Sequence, residues 1–203
     1  VWQALSHGNG HEDAALLLVL AGRYAAITGD PDFLGARLTK LRSLAESLLS
    51  LRPEGRALPL LAAPEGPTKE ICFIAACYAG LKRLAELEHH FTSPEFGRRW
   101  LSAAGAIREE ALSPYRDGGL LHPARGVFVH GVIQPADDPA AEHSAAVRTE
   151  FSLRQLVVPC LFGLLDAPED IERAYDWIDD QYTYATGRGG ASFLAPPPGV
   201  PAR

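Results

Sequence analysis

Helical segments along this chain alternate between two burial patterns, one apolar on every face and the other apolar along a single stripe. A chain that repeats such a pair must stack its helices in two layers. His11 to Ile27 is apolar all round after a first turn that holds Glu12 and Asp13, where the positive end of the helix dipole favours acids. It reads as an inner helix. After Gly29-Asp30-Pro31, a C-cap glycine followed by a start signal, Leu34, Leu38, Leu41, Ala45 and Leu48 recur in steps of four and three between Arg37, Lys40, Arg42 and Glu46. That spacing predicts an outer helix with one wet face.

The pair returns after a proline-rich loop, Arg52 to Pro67. Thr68 is the expected N-cap, Glu70 the first-turn acid, and Ile71 to Leu81 the second inner helix. Ser93-Pro94-Glu95 opens the second outer helix, with Phe96, Trp100, Ala104, Ile107 and Ala111 as its buried stripe. The rhythm then breaks at Asp117-Gly118-Gly119. Gly126 to Ile133 is a β-branched run bounded by glycines, read as one short β-hairpin inserted between helices. From Val147 to Leu165 a third inner helix follows, kinked at Pro159, and Glu169 to Tyr184 forms the third outer helix, burying Ile171, Ala174, Tyr175 and Ile178. The expected organisation is a helical-hairpin domain over 1–186 and a Pro/Gly-rich tail over 187–203.

Composition narrows the functions. The 203 residues are 47% hydrophobic, enough for a core, and carry a net charge of -6 with scattered basic residues, so no phosphate-gripping surface for nucleic acid is expected. The uncharged apolar runs, Ala14 to Gly22 and Ile71 to Leu81 among them, fall well short of the roughly 20 residues that span a bilayer. Neither nucleic acid nor membrane is an expected partner. Cys72, Cys77 and Cys160 read as reduced thiols, small core side chains in keeping with a cytoplasmic setting. The absence of methionine and a start in mid-pattern at Val1 read as a fragment. No P-loop, dinucleotide fingerprint, Gly-x-Ser-x-Gly elbow or zincin spacing occurs, so no cofactor and no metal are expected.

Three inner/outer pairs in succession resemble part of the (α/α) toroid of six-hairpin glycosidases. Tyr24-Ala-Ala-Ile-Thr-Gly-Asp-Pro-Asp-Phe-Leu34 is similar to the inner-to-outer turn of that superfamily. Arg116-Asp-Gly-Gly-Leu-Leu and Gly126-Val-Phe-Val-His-Gly-Val132 resemble a segment of its rhamnosidase-like and glycogen-debranching-like members. The resemblance covers residues 11 to 183 and implies an all-α fold: a partial toroid of about three hairpins. Closing the ring would then need the remainder of a barrel or a second chain. The loop Arg52 to Pro67 lacks the Asp-Trp-x-Asp string of many relatives.

In such a toroid the inner-helix N-termini open onto one mouth, and this chain places Glu12, Asp13, Glu70 and Glu150 there. Glycoside hydrolysis needs one carboxylic acid to protonate the leaving oxygen and a second carboxylate to activate water or attack. Glu70 and Asp13 are the foremost candidates, with Glu12 and Glu150 behind them, and Glu70, in the more apolar surroundings, is assigned the acid role. Acids in a first turn also serve the helix dipole alone. Trp2, His7, His11, Lys69, Tyr78, His143 and Arg148 are expected to border the mouth, aromatic faces stacking on sugar rings and the polar groups holding hydroxyls. His130, Asp137 and Asp138 form either a lid or a plain turn, and His89-His90 reads as solvated.

The expected activity is cleavage of glycosidic bonds in an oligosaccharide or polysaccharide. Two alternatives stay open: a non-catalytic helical scaffold or inactive toroid, and a toroid that epimerises sugars or eliminates from polysaccharides.

Overall fold

The computed structural model describes residues 10–30, 32–134, 146–148 and 153–186, with side chains 33 and 179–186 excluded. The molecule is mostly helical, with a small antiparallel sheet. Helices α1 (Gly10–Thr28), α4 (Ile71–Phe91) and α6 (Leu153–Leu161) alternate with α3 (Leu38–Leu49), α5 (Pro94–Ala111) and α7 (Pro168–Thr186), and a one-turn helix, α2 (Asp32–Gly35), precedes α3. Of the three expected to be inner and buried, α1 exposes Leu16, Leu20 and Ile27 and α6 exposes Leu153 and Leu161. Helix α4 lies at the centre, packed on α1, α3, α5 and α6, while α7 packs on α6.

Burial explains that centre. Every residue from Ile71 to Leu81 is buried, so α4 has neighbours on all sides, as its unbroken apolar run requires. Glycine lets those neighbours come close. A Cβ at Gly80 would lie 2.9 Å from Leu18 Cβ and 3.0 Å from the Ala15 carbonyl, which brings the α1 and α4 backbones together. A Cβ at Gly97 would lie 3.0 Å from the Ala85 carbonyl, and α5 therefore rests its backbone on α4.

The outer helices are tied by charge. Arg99 pairs with Glu46 at 2.7 Å, joining α5 to α3. Arg108 reaches both the Leu164 carbonyl and Asp166, joining α5 to the turn before α7. Arg42 of α3 forms a two-pronged bond to Glu88 of α4, a buried carboxylate on a helix that reads as apolar.

Several expectations are corrected. Thr68 is not a helix N-cap: Thr68–Glu70 form strand β1, and Glu70 caps α4. The run Gly126 to Ile133 is not one hairpin. It divides into β3 (Val127–Phe128), paired with β2 (Leu121–His122), and β4 (Gly131–Ile133), the middle strand between β1 and β5 (Ala146–Arg148). Val147 accordingly lies in a strand, and α6 starts only at Leu153. Pro159 sits inside α6, but the helix ends two residues later, with Leu164 N–H donating to the Pro159 carbonyl. The expected helix from Leu34 to Leu48 is broken between α2 and α3. Phe96 and Tyr175 are exposed, at 56% and 61%, where burial was expected; Phe96 instead lies under the Arg42 guanidinium. The tail over 187–203 lies outside the described residues.

Candidate functional site at the head of the central helix

Strand β1 runs directly into α4, so its last residue, Glu70, faces the helix head. In the three-stranded sheet Glu70 stands opposite Gly131, and Gly131 opposite Arg148. Residues directly opposite share a face of the sheet. Glu70 and Arg148 therefore flank a glycine that puts no side chain between them, and a Cβ there would come within 2.8 Å of the Lys69 carbonyl.

The Glu70 carboxylate has two distinct oxygens. Oε2 accepts from Phe73 N–H at 2.7 Å, a helix cap, while Oε1 stands 3.6 Å from His130 Nε2. The His130 carbonyl in turn accepts from Ile71 N–H at 3.2 Å, so strand and side chain together satisfy the first turn of α4. The carboxylate is 18% exposed and His130 32%, leaving the pair reachable from solvent at the sheet edge.

Cys72 lies just behind this pair. Burial, foremost, and the negative charges of Glu70 and Glu12 push its thiol up to about 12, with Arg154 pulling the other way. Glu12, Glu70, Cys72 and Arg154 thus share one electrostatic neighbourhood, formed by the heads of α1, α4 and α6. Arg148 pairs with Glu65 at 3.1 Å and stays half-buried.

The remaining residues of the expected mouth divide. Asp13 and His11 are exposed on the first turn of α1. Lys69 is 1% exposed and donates from Nζ to the Gly118 carbonyl at 2.6 Å, which makes it a strut beneath the sheet and not a rim group. Tyr78 is buried two turns along α4, where its hydroxyl accepts from Lys82. Trp2, His7, His143 and Glu150, with Asp137 and Asp138, lie outside the described residues. Sequence reasoning missed Cys72 and Arg154 as members of the cluster, and placed His130 only on a lid or turn. Their convergence depends on pairing between strands remote in sequence, a signal absent from local pattern.

Among the described residues no group of His, Cys, Asp and Glu is arranged to hold a metal ion, and no helix is long and apolar enough to cross a membrane. No family model matches the sequence. No curated protein matches it either. The fold is similar to that of a rhamnosidase from Klebsiella oxytoca with rhamnose bound, at a TM-score of 0.63 and 12% identity, over 84% of this chain. The match takes in 30% of the rhamnosidase, so the chain spans under a third of that protein's length. At this identity the likeness is one of fold: a glycosidase-like arrangement of helices.

Proposed function

We propose that this chain is the helical portion of a carbohydrate-active hydrolase, a partial (α/α) toroid that cleaves glycosidic bonds with carboxylates at the inner-helix heads. The observation that carries the reading is Glu70, fixed by one oxygen to the α4 backbone while the other faces His130 at a solvent-reachable edge. A carboxyl group held this way keeps its direction without losing access to a substrate oxygen. Glu70 serves as the acid. Asp13 and Glu12, on the adjacent head of α1, supply the second carboxylate, and Glu150 belongs to the same set. Arg148 and His11 line the sugar-binding rim, along with Trp2, His7 and His143. The substrate is an oligosaccharide or polysaccharide, and rhamnose, the sugar held by the structural neighbour, is the first ligand to test.

A second reading has its own support. Glu70 Oε2 makes a cap bond, and the buried Lys69 spends its ammonium on the Gly118 carbonyl, as in a non-catalytic scaffold. Amide NMR during titration with rhamnose and rhamnose-containing oligosaccharides, followed by a hydrolysis assay, separates the two. Hydrolysis that is lost in E70Q, with shifts at Cys72 and His130, supports the hydrolase. Binding without turnover moves the assignment to an inactive toroid, and turnover unchanged in E70Q removes Glu70 from the chemistry.

A further inference from the structure

Helix α1 is covered on one side only, where it packs on α3 and α4. Ala14, Ala15, Leu18, Ala21 and Gly22 are buried on that side. Leu16, Leu20, Tyr24 and Ile27, spaced by four, four and three, are exposed, Leu20 at 60% and Ile27 at 81%. That spacing sets the four on one face, turned away from α4. Single apolar side chains on a surface are ordinary. Four on one helix face make a patch on the order of 400 Å², within the size range in which a monomer's largest patch is often functional.

The charges beside this stripe match a reversed copy of themselves. Glu12 and Arg23 lie eleven residues apart, about three turns, and so flank the same side of the stripe at opposite ends. Glu12 is half-buried and Arg23 exposed. When two copies of a helix pack antiparallel about a two-fold axis, each flank meets the same flank of the other copy, head against tail. An axis level with Leu18 sets Leu16 opposite the partner's Leu20 and brings Glu12 within one residue's rise of the partner's Arg23, at both ends of the contact. A parallel copy in register would set like charges at the same level.

We infer that this face binds a second copy of the chain, in an antiparallel α1·α1 dimer with Leu16 and Leu20 at its centre and two Glu12–Arg23 pairs at its ends. The face points away from α4 and leaves the Glu70 cluster out of the interface. Glu12 is engaged in the dimer, so Asp13 alone remains beside it for the role of second carboxylate. Two such patches with a polar rim reach the low end of specific interfaces, which sets dissociation in the micromolar range.

The test is sedimentation equilibrium of the full chain from nanomolar to high micromolar concentration, in reductant so that the part-buried Cys160 cannot link copies. A monomer that passes to a dimer is expected. L20E weakens the dimer by more than about a hundredfold, because it sets two carboxylates against apolar surface at the centre. R23E weakens it about tenfold, and E12K/R23E, which exchanges the charges and keeps them complementary, returns to within about threefold of wild type. Leu20 and Arg23 are exposed, so L20E and R23E keep the wild-type melt; if L20E does not, the charge exchange decides the matter. A monomer throughout the range overturns the inference. So does a dimer that survives L20E, or one weakened equally by R23E and by E12K/R23E, since another face or another orientation would then hold the copies.

Discussion

Replacing Arg42 with alanine tests how the two layers are held together. The Arg42 guanidinium donates to Glu88 from Nε at 2.5 Å and from its second fork at 2.7 Å, while Thr92 adds a bond to the same carboxylate at 2.8 Å. Glu88 is fully buried and Arg42 is 33% exposed. Breaking a buried pair by removing one partner costs about 3–5 kcal/mol, because a charge is left without compensation. Here one partner reaches water and Thr92 remains, so the expected loss is about 2–3 kcal/mol, or roughly 5–10 °C of melting temperature at this size.

The same pair fixes the pH dependence. The hydrogen bond from Arg42, foremost, with help from Thr92 and the Arg42 charge, holds the Glu88 carboxyl below its ordinary value against the opposing effect of burial. A depressed carboxyl contributes stability that is fully present above the unfolded value, about 4.3, and is lost as pH falls through the folded one. The gap between wild type and R42A in urea denaturation should therefore be widest near neutrality and narrow in acid. The double variant R42A/E88Q should lose less than R42A alone, since no buried charge is stranded. A gap under about 1 kcal/mol at neutral pH, or one that does not change between neutral and acid pH, would refute the argument.

Three further outcomes are expected. Gly80→Ala pushes a methyl group against Leu18 and the Ala15 carbonyl and should destabilise by about 1–3 kcal/mol, read by denaturant midpoint. Glu70→Ala removes the α4 cap and should cost about 1 kcal/mol, whereas Glu70→Gln keeps an acceptor and should melt like wild type, so thermal scans separate the cap from any catalytic role. Cys72 and Cys77, raised by burial, should be inert to a disulfide reagent at pH 8 until the protein is unfolded, which a thiol titration with and without guanidinium will show.

The two-layer arrangement was legible because full and striped burial leave different marks in sequence. Ile71 to Leu81 carries no charged residue and is buried throughout, while α3 and α5 alternate. The misreadings share one physical origin, information that lies in a distant partner. Thr68 and Glu70 carry a good local signature for a helix start, but Thr68 pairs with Ile133 and Glu70 with Gly131, and strand pairing outweighs a local preference. Phe96 and Gly97 are neighbours, and a stripe read from side-chain size chooses the phenylalanine. The structure chooses the glycine, because only a bare backbone can rest on the Ala85 carbonyl, and the buried face then runs Gly97, Trp100, Ala104, Ile107, Ala111. Glu88 followed the same logic from the other side, a buried acid on α4 whose partner, Arg42, lies on α3.

That principle also bears on the site. Of the described acids at these helix heads, Glu70 is the one whose position depends on long-range pairing, since β4 supplies the glycine floor between Glu70 and Arg148 and His130 directly precedes that strand. An acid needed only to complement a helix dipole requires none of this. Asp13, the proposed partner carboxylate, stands exposed in the first turn of α1, where the helix dipole by itself already favours an acid. Gly131→Ala therefore probes the site independently of the carboxylates. The added methyl meets the Lys69 carbonyl at 2.8 Å and fills the floor between Glu70 and Arg148. If the cluster handles a substrate, sugar-induced shifts at Cys72 and His130 should be lost in a G131A protein that retains its helical circular dichroism. If the same shifts persist with unchanged affinity, the glycine floor serves the sheet alone and the ligand lies elsewhere.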